Sequence, residues 1–457
     1  MENATPYDQL EEKWNPVLET SALPSLDDHY KRKVTAALLE NTETALREQT
    51  LNETPTNSMG GGFSVTAAAS TTGNLAGYDP VLISLVRRAM PNLLAYDIAG
   101  VQPMSAPTGL IFAMRSRYDA QDGKEALFQE AFSQFSGSGN TSVGGATLAV
   151  EGVEPITSAG VRSGLALNDF RAMLAADGES LGGDAATDKA FKEMAFSIER
   201  VAVEAKTRAL KAEYTTELAQ DLKAIHGLDA ETELANILST EILTEINREL
   251  IRTLYFKAKT GAQQADLTTK GIYDLNVDSD GRWSAERFRG LMFQIERECN
   301  VIAKETRRGK GNFIVTSSDV ASALAMGGFL NLTPAINNQL DIDDTGNTFA
   351  GVLNGKIRVY IDPYAKTDTN YVMVGYRGSN PYDAGIFYCP YVPLQMVRAV
   401  GENTFQPKIG FKTRYGMVAN PFAQSTDFTT LGTATTGNQY YRLFAVANLH
   451  GNTGFGL

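Results

Sequence analysis

The chain has 457 residues, of which 43% are hydrophobic and 21% are charged, and its formal net charge is −12. Its length predicts two or more lobes, and its composition is ordinary for a folded globular protein. The acidic balance argues against a nucleic-acid-binding protein, and the lack of a long apolar run argues against a membrane span. No secretory signal is expected at the N-terminus, and two cysteines in so long a chain argue against a disulfide framework and fit a reducing compartment.

Residues 1–53 form an acidic head. They carry eleven acidic and five basic side chains, so half of the net charge lies in about an eighth of the chain. Residues 25–49 are predicted to form a helix, with Ser25 and Asp28 resembling a capping box at its start. The apolar positions of this helix form a weak stripe that needs a partner, and they are Val34, Ala37, Leu38 and Leu46.

Two stretches that follow are uncharged and rich in small residues. Residues 54–78 have too little apolar mass to fold alone, which predicts an extended arm. Residues 131–150 predict a long mobile loop or hairpin. Between them, the segment from Leu85 to Tyr118 holds three prolines and two glycines, so it cannot be one continuous helix or strand.

The strongest helical pattern runs from Asp229 to Lys259, where leucine and isoleucine recur every four residues. At 1.5 Å per residue this spine helix would be roughly 45 Å long. Its acidic and basic side chains are predicted to form a solvated or interface face, and they are Glu241, Glu245, Arg248, Glu249 and Arg252. A second helix is predicted from about Ala285 to Thr306.

The C-terminal third predicts mostly strands. Residues 312–326 indicate a strand, a Ser-capped turn and a helix, and residues 349–361 indicate a hairpin around Asn354-Gly355. Further strands are predicted within 371–378, 384–392 and 405–418. The fold class is therefore α+β.

Side chains that do chemistry are scarce. The three histidines, His29, His226 and His450, are far apart in sequence, and both Cys299 and Cys389 are predicted to be small core residues. No nucleophile elbow or phosphate loop occurs. The cluster from Lys304 to Lys310 is interpreted as a solvated helix end rather than a functional contact.

One motif comes close to a calcium loop. Asn276, Asp278, Asp280 and Gly281 occupy the first, third, fifth and sixth positions of such a loop. The twelfth position, which should be a bidentate Glu, is Arg287, because Glu286 falls one place short. A polar turn before a helix is favoured over a metal site, and no enzyme activity, metal or cofactor is predicted.

Six segments, in order, closely resemble the major capsid protein of T-even-type tailed phages. They span most of residues 80–423 and lie at 85–118, 205–250, 307–315, 349–366, 383–394 and 405–423. The resemblance implies the Hong Kong 97 (Johnson) capsid fold, with an N-arm, an extended loop, a peripheral domain with a long spine helix and an axial β-rich domain. The implied parts are a propeptide (1–53), the N-arm (54–84), the start of the shell domain (85–118), an extended loop with a shortened insertion (119–195), the peripheral domain (196–282) with its spine helix (229–259), the axial domain (283–400), and C-terminal strands (401–457) that return to the peripheral domain.

The family also implies removal of the propeptide by a prohead protease that cuts after Glu in a Leu/Ile-x-Glu pattern. Here Leu51-Asn52-Glu53 precedes Thr54 at the junction between the helical head and the uncharged arm. Since a protease needs an extended substrate, cleavage is expected between Glu53 and Thr54. The other matches, which end at Glu12, Glu40 and Glu48, lie within predicted helices.

The resemblance implies a virion shell protein, assembled in the host cytoplasm. It would form hexameric capsomers of an icosahedral or prolate prohead around scaffold, mature by cleavage and expand before or during packaging of double-stranded DNA, which it encloses without sequence-specific binding. The implied partners are further copies of the chain, a vertex protein, a portal, a scaffolding core and the prohead protease, with decoration proteins and a host chaperonin as further candidates. The alternatives are a pentameric vertex protein of the same fold and an enzyme of unknown type.

Overall fold

A computed structural model describes most of the chain. The described residues are 6–19, 26, 28–52, 93–123, 125–127, 135–137, 178–179, 181–182, 191–264, 266–279, 281, 283–328, 330–331, 348–366, 369–401, 405–420, 424–428 and 434–449. The predicted arm at 54–78 lies outside them, as does most of the predicted loop at 131–150. Contacts divide the chain into two compact units, one of residues 1–110, 202–305 and 309–457, and one of residues 111–201 and 306–308.

The described helices are α1 (Pro6–Leu18), α2 (His29–Asn52), α3 (Ala95–Ile98), α4 (Thr216–His226), α5 (Ala230–Lys257), α6 (Ser284–Thr306) and α7 (Ser318–Met326). The described strands are β1 (Gly100–Val101), β2 (Thr108–Tyr118), β3 (Met194–Glu204), β4 (Lys206–Glu213), β5 (Ala258–Thr260), β6 (Ile272–Asp274), β7 (Phe313–Thr316), β8 (Leu330–Asn331), β9 (Thr348–Leu353), β10 (Ile357–Ile361), β11 (Tyr371–Gly375), β12 (Ile386–Val400), β13 (Pro407–Ala419), β14 (Gln424–Phe428) and β15 (Ala434–Ala447). The mixture confirms the predicted α+β class.

Three groups of strands are hydrogen-bonded. The first sheet has the order β1-β12-β13-β4, with β1 parallel to β12 and the other pairs antiparallel. The second has the order β14-β15-β11-β7-β10-β9-β8, and β5 and β6 also pair with β15. Strands β2 and β3 form a separate two-stranded ribbon. The C-terminal strands belong to different sheets. Strand β13 pairs with β4 in the first sheet, and β15 pairs with β11 in the second.

Local sequence signals explain many of these elements. Asp229 caps α5 by accepting a hydrogen bond from the Glu231 amide at 3.3 Å, as expected for the start of the predicted spine helix. The hairpin between β9 and β10 turns at Asn354 and Gly355, which both have positive φ values of 52° and 69°, so the predicted tight turn is confirmed. The predicted helix near 285–306 is α6.

Strand β4 shows where local preference is overridden. Its sequence, KTRALKAE, consists largely of helix-forming residues, and no strand is predicted there. It nevertheless pairs with β13 over eight residues, from Lys206 opposite Tyr415 to Glu213 opposite Lys408. The neighbouring strand therefore sets its conformation.

One polar cluster attaches α5 to the first sheet. Arg208 of β4 donates to Glu245 at 2.7 Å and to Glu249 at 2.6 Å, both on α5, and to the hydroxyl of Tyr415 on β13 at 2.5 Å. Tyr415 also donates to Glu249. Charge-assisted hydrogen bonds thus attach α5 to β4 and β13.

A second cluster attaches α5 to the second sheet. The buried carboxylate of Asp362, directly after β10, accepts two hydrogen bonds from Arg248, at 2.9 and 2.7 Å. It also accepts from the hydroxyls of Tyr255 at 3.0 Å and Tyr371 at 2.7 Å. Of the two alternatives for this face of the spine helix, solvated or interface, Glu245, Arg248 and Glu249 lie at contacts with other parts of the chain. Glu241 and Arg252 are exposed.

Replacing Arg248 by Ala tests the second cluster. The change leaves the buried Asp362 carboxylate without its cation, so we expect the free energy of unfolding to fall by about 3 kcal/mol. The exposed Arg252 on the same helix provides a matched control, and Arg252→Ala should change stability by less than about 0.5 kcal/mol. Chemical denaturation followed by circular dichroism measures both, and equal effects of the two variants would contradict the assignment.

The pH dependence of stability provides a second test. Burial alone would raise the pKa of Asp362, but hydrogen bonds from Tyr371 and Arg248 outweigh it and hold the pKa below its ordinary value of 3.8. Because the folded pKa is the lower one, this contribution is complete above about pH 5 and is lost as the pH falls through the folded pKa. We expect Tm to fall less steeply from about pH 5 to pH 3 in Asp362→Asn than in the wild type, whereas the exposed-site control Asp221→Asn should follow the wild type.

Candidate assembly surfaces

The described residues lack a recognisable catalytic centre. No group of three His, Cys, Asp or Glu side chains among them is placed to hold a metal ion. Burial raises the pKa of both the Cys299 and the Cys389 thiols to about 12, so neither is a reactive thiolate at neutral pH. His226 occupies the last turn of α4 before Gly227, which confirms its interpretation as a helix-end residue. Among the described helices, none has both the length and the apolar character needed to cross a bilayer.

The calcium-like motif is a hydrogen-bonded turn. Asp278 accepts from the amide of Thr268 at 3.1 Å, from its hydroxyl at 2.9 Å, and from the Asp274 amide at 3.0 Å. The Arg287 guanidinium donates to the side-chain oxygen of Asn276, which places a cation of the protein itself against one predicted metal ligand. Asp280 lies outside the described residues. The geometry agrees with the favoured interpretation of a polar turn.

The β2–β3 ribbon has one exposed apolar face in the second unit. The Asp119 amide binds the Glu193 carbonyl at one end of the ribbon, and the Ala205 amide binds the Pro107 carbonyl at the other, so the strands are antiparallel. On one side of the ribbon, several alternate side chains are large, apolar and more than half exposed. They are Phe112 on β2 and Met194, Phe196 and Ile198 on β3, and we call them the ribbon face.

The opposite side of the ribbon carries a satisfied polar cluster as well as the buried Ile111 and Val203. Arg117 donates to Ser197 at 3.1 Å, to Glu199 at 3.1 Å and to the Gly123 carbonyl at 2.8 Å. Around Arg117 the usual arrangement of a two-faced strand is thus reversed, because this polar side chain binds groups of its own unit while the four large apolar side chains of the ribbon face meet solvent. Contiguous exposed apolar surface of this kind is typical of a protein–protein contact.

The first unit has another exposed apolar region. Helix α4 has no buried residue, and its Leu218 and Ile225 are 51% and 75% exposed. Strands β12 and β13 extend beside the start of this helix, and Val400 and Phe405 near their tip are 67% and 79% exposed. This margin is a second candidate contact surface.

The acidic head packs against the rest of the first unit. Six consecutive residues of α2, from Val34 to Leu39, are buried, which shows that the helix is enclosed rather than striped. Side chains of α1 and α2 share one apolar cluster with residues 93–101, α5 and β12. The partner that the sequence requires for α2 is therefore the chain's own body and α1.

Of the residues predicted for cleavage, only Leu51 is described. It lies in α2, which ends at Asn52, whereas Glu53 and Thr54 lie outside the described residues. The competing sites that end at Glu12, Glu40 and Glu48 lie within α1 and α2, as predicted, but Leu51 and Asn52 are helical too, so helical structure does not distinguish these sites. The choice of Glu53 as the cleavage residue stays a prediction.

The sequence prediction misses two sets of residues on these surfaces, the ribbon face and Asn41. Ribbon-face residues of β3 carry a visible signal, since MAFSIE alternates with the period of a strand. Asn41, whose amide reaches the body from α2, carries none, because its partners are backbone carbonyls more than sixty residues away.

The chain is similar to capsid proteins of tailed phages. The family model for the major capsid protein Gp23 matches residues 75–446. The major capsid protein of Salmonella phage ViI is 37% identical over 465 residues, which cover 97% of this chain and 98% of the relative. The major capsid protein of Enterobacteria phage T4 is 38% identical over 484 residues, which cover 91% of this chain and 92% of the relative.

Other similarities are weaker. The capsid vertex protein of Enterobacteria phage T4 is 30% identical over 271 residues, which cover only 56% of this chain and 60% of the relative. The solved capsid of Myoviridae phage XM1 has a TM-score of 0.35 at 9% identity, covering 77% of this chain and 92% of that chain. The capsid of an empty GTA particle has a TM-score of 0.39 at 12% identity, covering 78% and 90%.

These structural scores are low, so the assignment rests on the sequence matches, which favour the major subunit over the vertex protein. The family is one of structural proteins and not of enzymes. The chain belongs to the Gp23 family of major capsid proteins, the head-shell proteins of T4-like tailed phages.

Proposed function

We propose that this capsid protein assembles as hexameric capsomers, and that the ribbon face contacts a neighbouring copy of the chain. The observation that carries the proposal is the reversed ribbon, whose apolar side is exposed in the isolated subunit. Fully burying a Phe, Met or Ile side chain contributes about 1.5–3 kcal/mol, so the remaining burial of four half-exposed ones contributes several kcal/mol per contact. Repeated around a ring, such contacts favour a closed assembly.

The domain assignment is part of the same proposal. Residues 54–84 would be the N-arm, 119–195 the extended loop with its shortened insertion, 196–282 the peripheral domain, 283–400 the axial domain, and 401–457 strands that return to the peripheral domain. Support comes from the long helix α5 within the proposed peripheral domain and from the ribbon, which lies at the borders of the proposed loop. The Hong Kong 97-type arrangement is the one that the family implies.

The partners and the maturation sequence are also proposed. The subunits would assemble with vertex protein and portal around a scaffolding core, be cut by the prohead protease, and expand around double-stranded DNA. Decoration proteins and a host chaperonin are further proposed partners. Removal of residues 1–53 would take half of the net negative charge from each subunit, which lowers the electrostatic repulsion of incoming phosphates inside the shell.

Phe196→Asp tests the role of the ribbon face. Because Phe196 is 59% exposed in the subunit, the variant should fold with little change in stability but fail to form capsomers, since a carboxylate would be buried at the contact. Sedimentation velocity and negative-stain electron microscopy of purified subunits measure the outcome. Phe196→Leu keeps an apolar side chain and should assemble; assembly of Phe196→Asp at the wild-type level would refute the proposal.

The cleavage site has a separate test. We expect the mature chain to begin at Thr54, and Glu53→Ala to yield particles that retain the head, because the acidic side chain that the protease recognises is lost. Glu12→Ala, in α1, should be processed normally. Intact-mass measurement and N-terminal sequencing of particles decide the matter, and a mature chain that begins elsewhere would show that the site is wrong.

A further inference from the structure

We propose that the N-terminal hairpin α1–α2 is a bound ligand of the chain's own body, held by contacts that survive a cut behind it. Its receptor is the segment 93–104 together with the middle of β12, which we call the floor. Release of the hairpin would then be a second step, separate from proteolysis. The inference rests on the proposed cleavage only for its place in maturation. The binding of the hairpin to the floor does not depend on where the natural protease cuts.

Side chains of both helices of the hairpin are buried. Trp14 and Leu18 on α1 and Leu38 and Leu39 on α2 are all less than a tenth exposed, in one cluster with Leu93, Tyr96, Ile98 and Val101. An amphipathic helix lying on a surface keeps one side in solvent, whereas residues 34–39 of α2 are enclosed on every side. Helix α2 is therefore the middle layer between α1 and the floor.

Asn41 supplies the second argument. Its side-chain amide donates one hydrogen bond to the Met104 carbonyl at 2.8 Å and another to the Tyr391 carbonyl at 2.9 Å. These carbonyls lie on adjacent chain segments, since the Met104 amide binds the Pro390 carbonyl of β12. A single side chain thus satisfies two backbone acceptors of the floor, and both lose this partner when the hairpin leaves.

The hairpin is also a coherent unit. Lys13 on α1 binds Glu40 at 2.6 Å and Glu43 at 2.8 Å on α2, and the Trp14 indole donates to Glu40 at 3.0 Å. Lys31 lies 5.7 Å from the ring centre of Tyr96 in the floor. The two helices therefore hold each other while both contact the floor, so the hairpin can bind and leave as one body.

The floor is firmly positioned without the hairpin. The Leu94 amide donates to the side-chain oxygen of Asn247 on α5 at 3.2 Å, and the Gln102 amide donates to the Tyr388 carbonyl on β12 at 2.9 Å. Loss of the hairpin should therefore uncover an apolar surface that stays in place.

The test uses a cut that does not depend on the natural protease. A recognition sequence for a site-specific endoprotease is introduced directly after Glu53 in the full-length chain, and unassembled subunits are cut at low micromolar concentration. We expect the head fragment and the body to run as one complex in size-exclusion chromatography and native mass spectrometry. Separation of the wild-type head from a body that is still folded would overturn the proposal.

Two substitutions sharpen the test. Asn41→Ala removes both hydrogen bonds to the floor and should raise the dissociation constant of the cut head about tenfold or more. Thr44→Ala, one turn further along α2, is the matched control, because this exposed hydroxyl donates to the Glu40 carbonyl of its own helix. It should change the constant less than about twofold.

Hydrogen exchange keeps the result interpretable if a variant folds poorly. Amides of residues 93–104 bind acceptors of the body, so they should stay protected, like those of β7 and β11, after the head is removed from cut wild-type protein. Equal affinities of Asn41→Ala and Thr44→Ala would refute the assigned contact, and loss of protection in 93–104 on head removal would refute a floor that stays in place. Because the cut is engineered, failure here is distinguishable from a natural cleavage site other than Glu53.

Discussion

The architecture of the first unit depends on the two polar attachments of α5. One side of this helix is bound to β4 and β13 through Arg208, and another is bound to the region around Asp362 through Arg248. A helix packed only by leucine and isoleucine could slide or rotate at little expense, since apolar contact is not directional. Charge-assisted hydrogen bonds to fixed partners remove that freedom, and they set the position of both sheets relative to the helix.

Elements with a strong local signal could be predicted from the sequence. The period of α5, the positive-φ turn at Asn354-Gly355, and the pattern of β7 followed by α7 each depend on residues within a few positions of one another. Strand β4 could not be predicted, because its residues favour a helix and only pairing with β13 makes it a strand. The order of strands in the two sheets was equally invisible, since it depends on contacts across the whole chain.

Some residues of the functional surfaces could likewise be recognised from the sequence, and others could not. The alternation in β3 is visible in the sequence, but its exposed apolar side is indistinguishable from a buried one until the pairing is known. The charged face of α5 is predicted as solvated or interface, but the sequence pattern considers only neighbours on the helix and does not name the partners Arg208 and Asp362. Asn41 is a polar residue in an acidic helix, and only the folded chain shows that it meets two carbonyls.

The contact between Asn41 and Tyr391 joins residues 350 positions apart. The head is synthesised first, but the last part of its receptor leaves the ribosome only after almost nine-tenths of the chain. Contacts of such separation form late in folding, because a large loop must close before they form. A docked head is consequently a mark of a chain that extends at least into β12, and subunits broken off before β12 cannot acquire it.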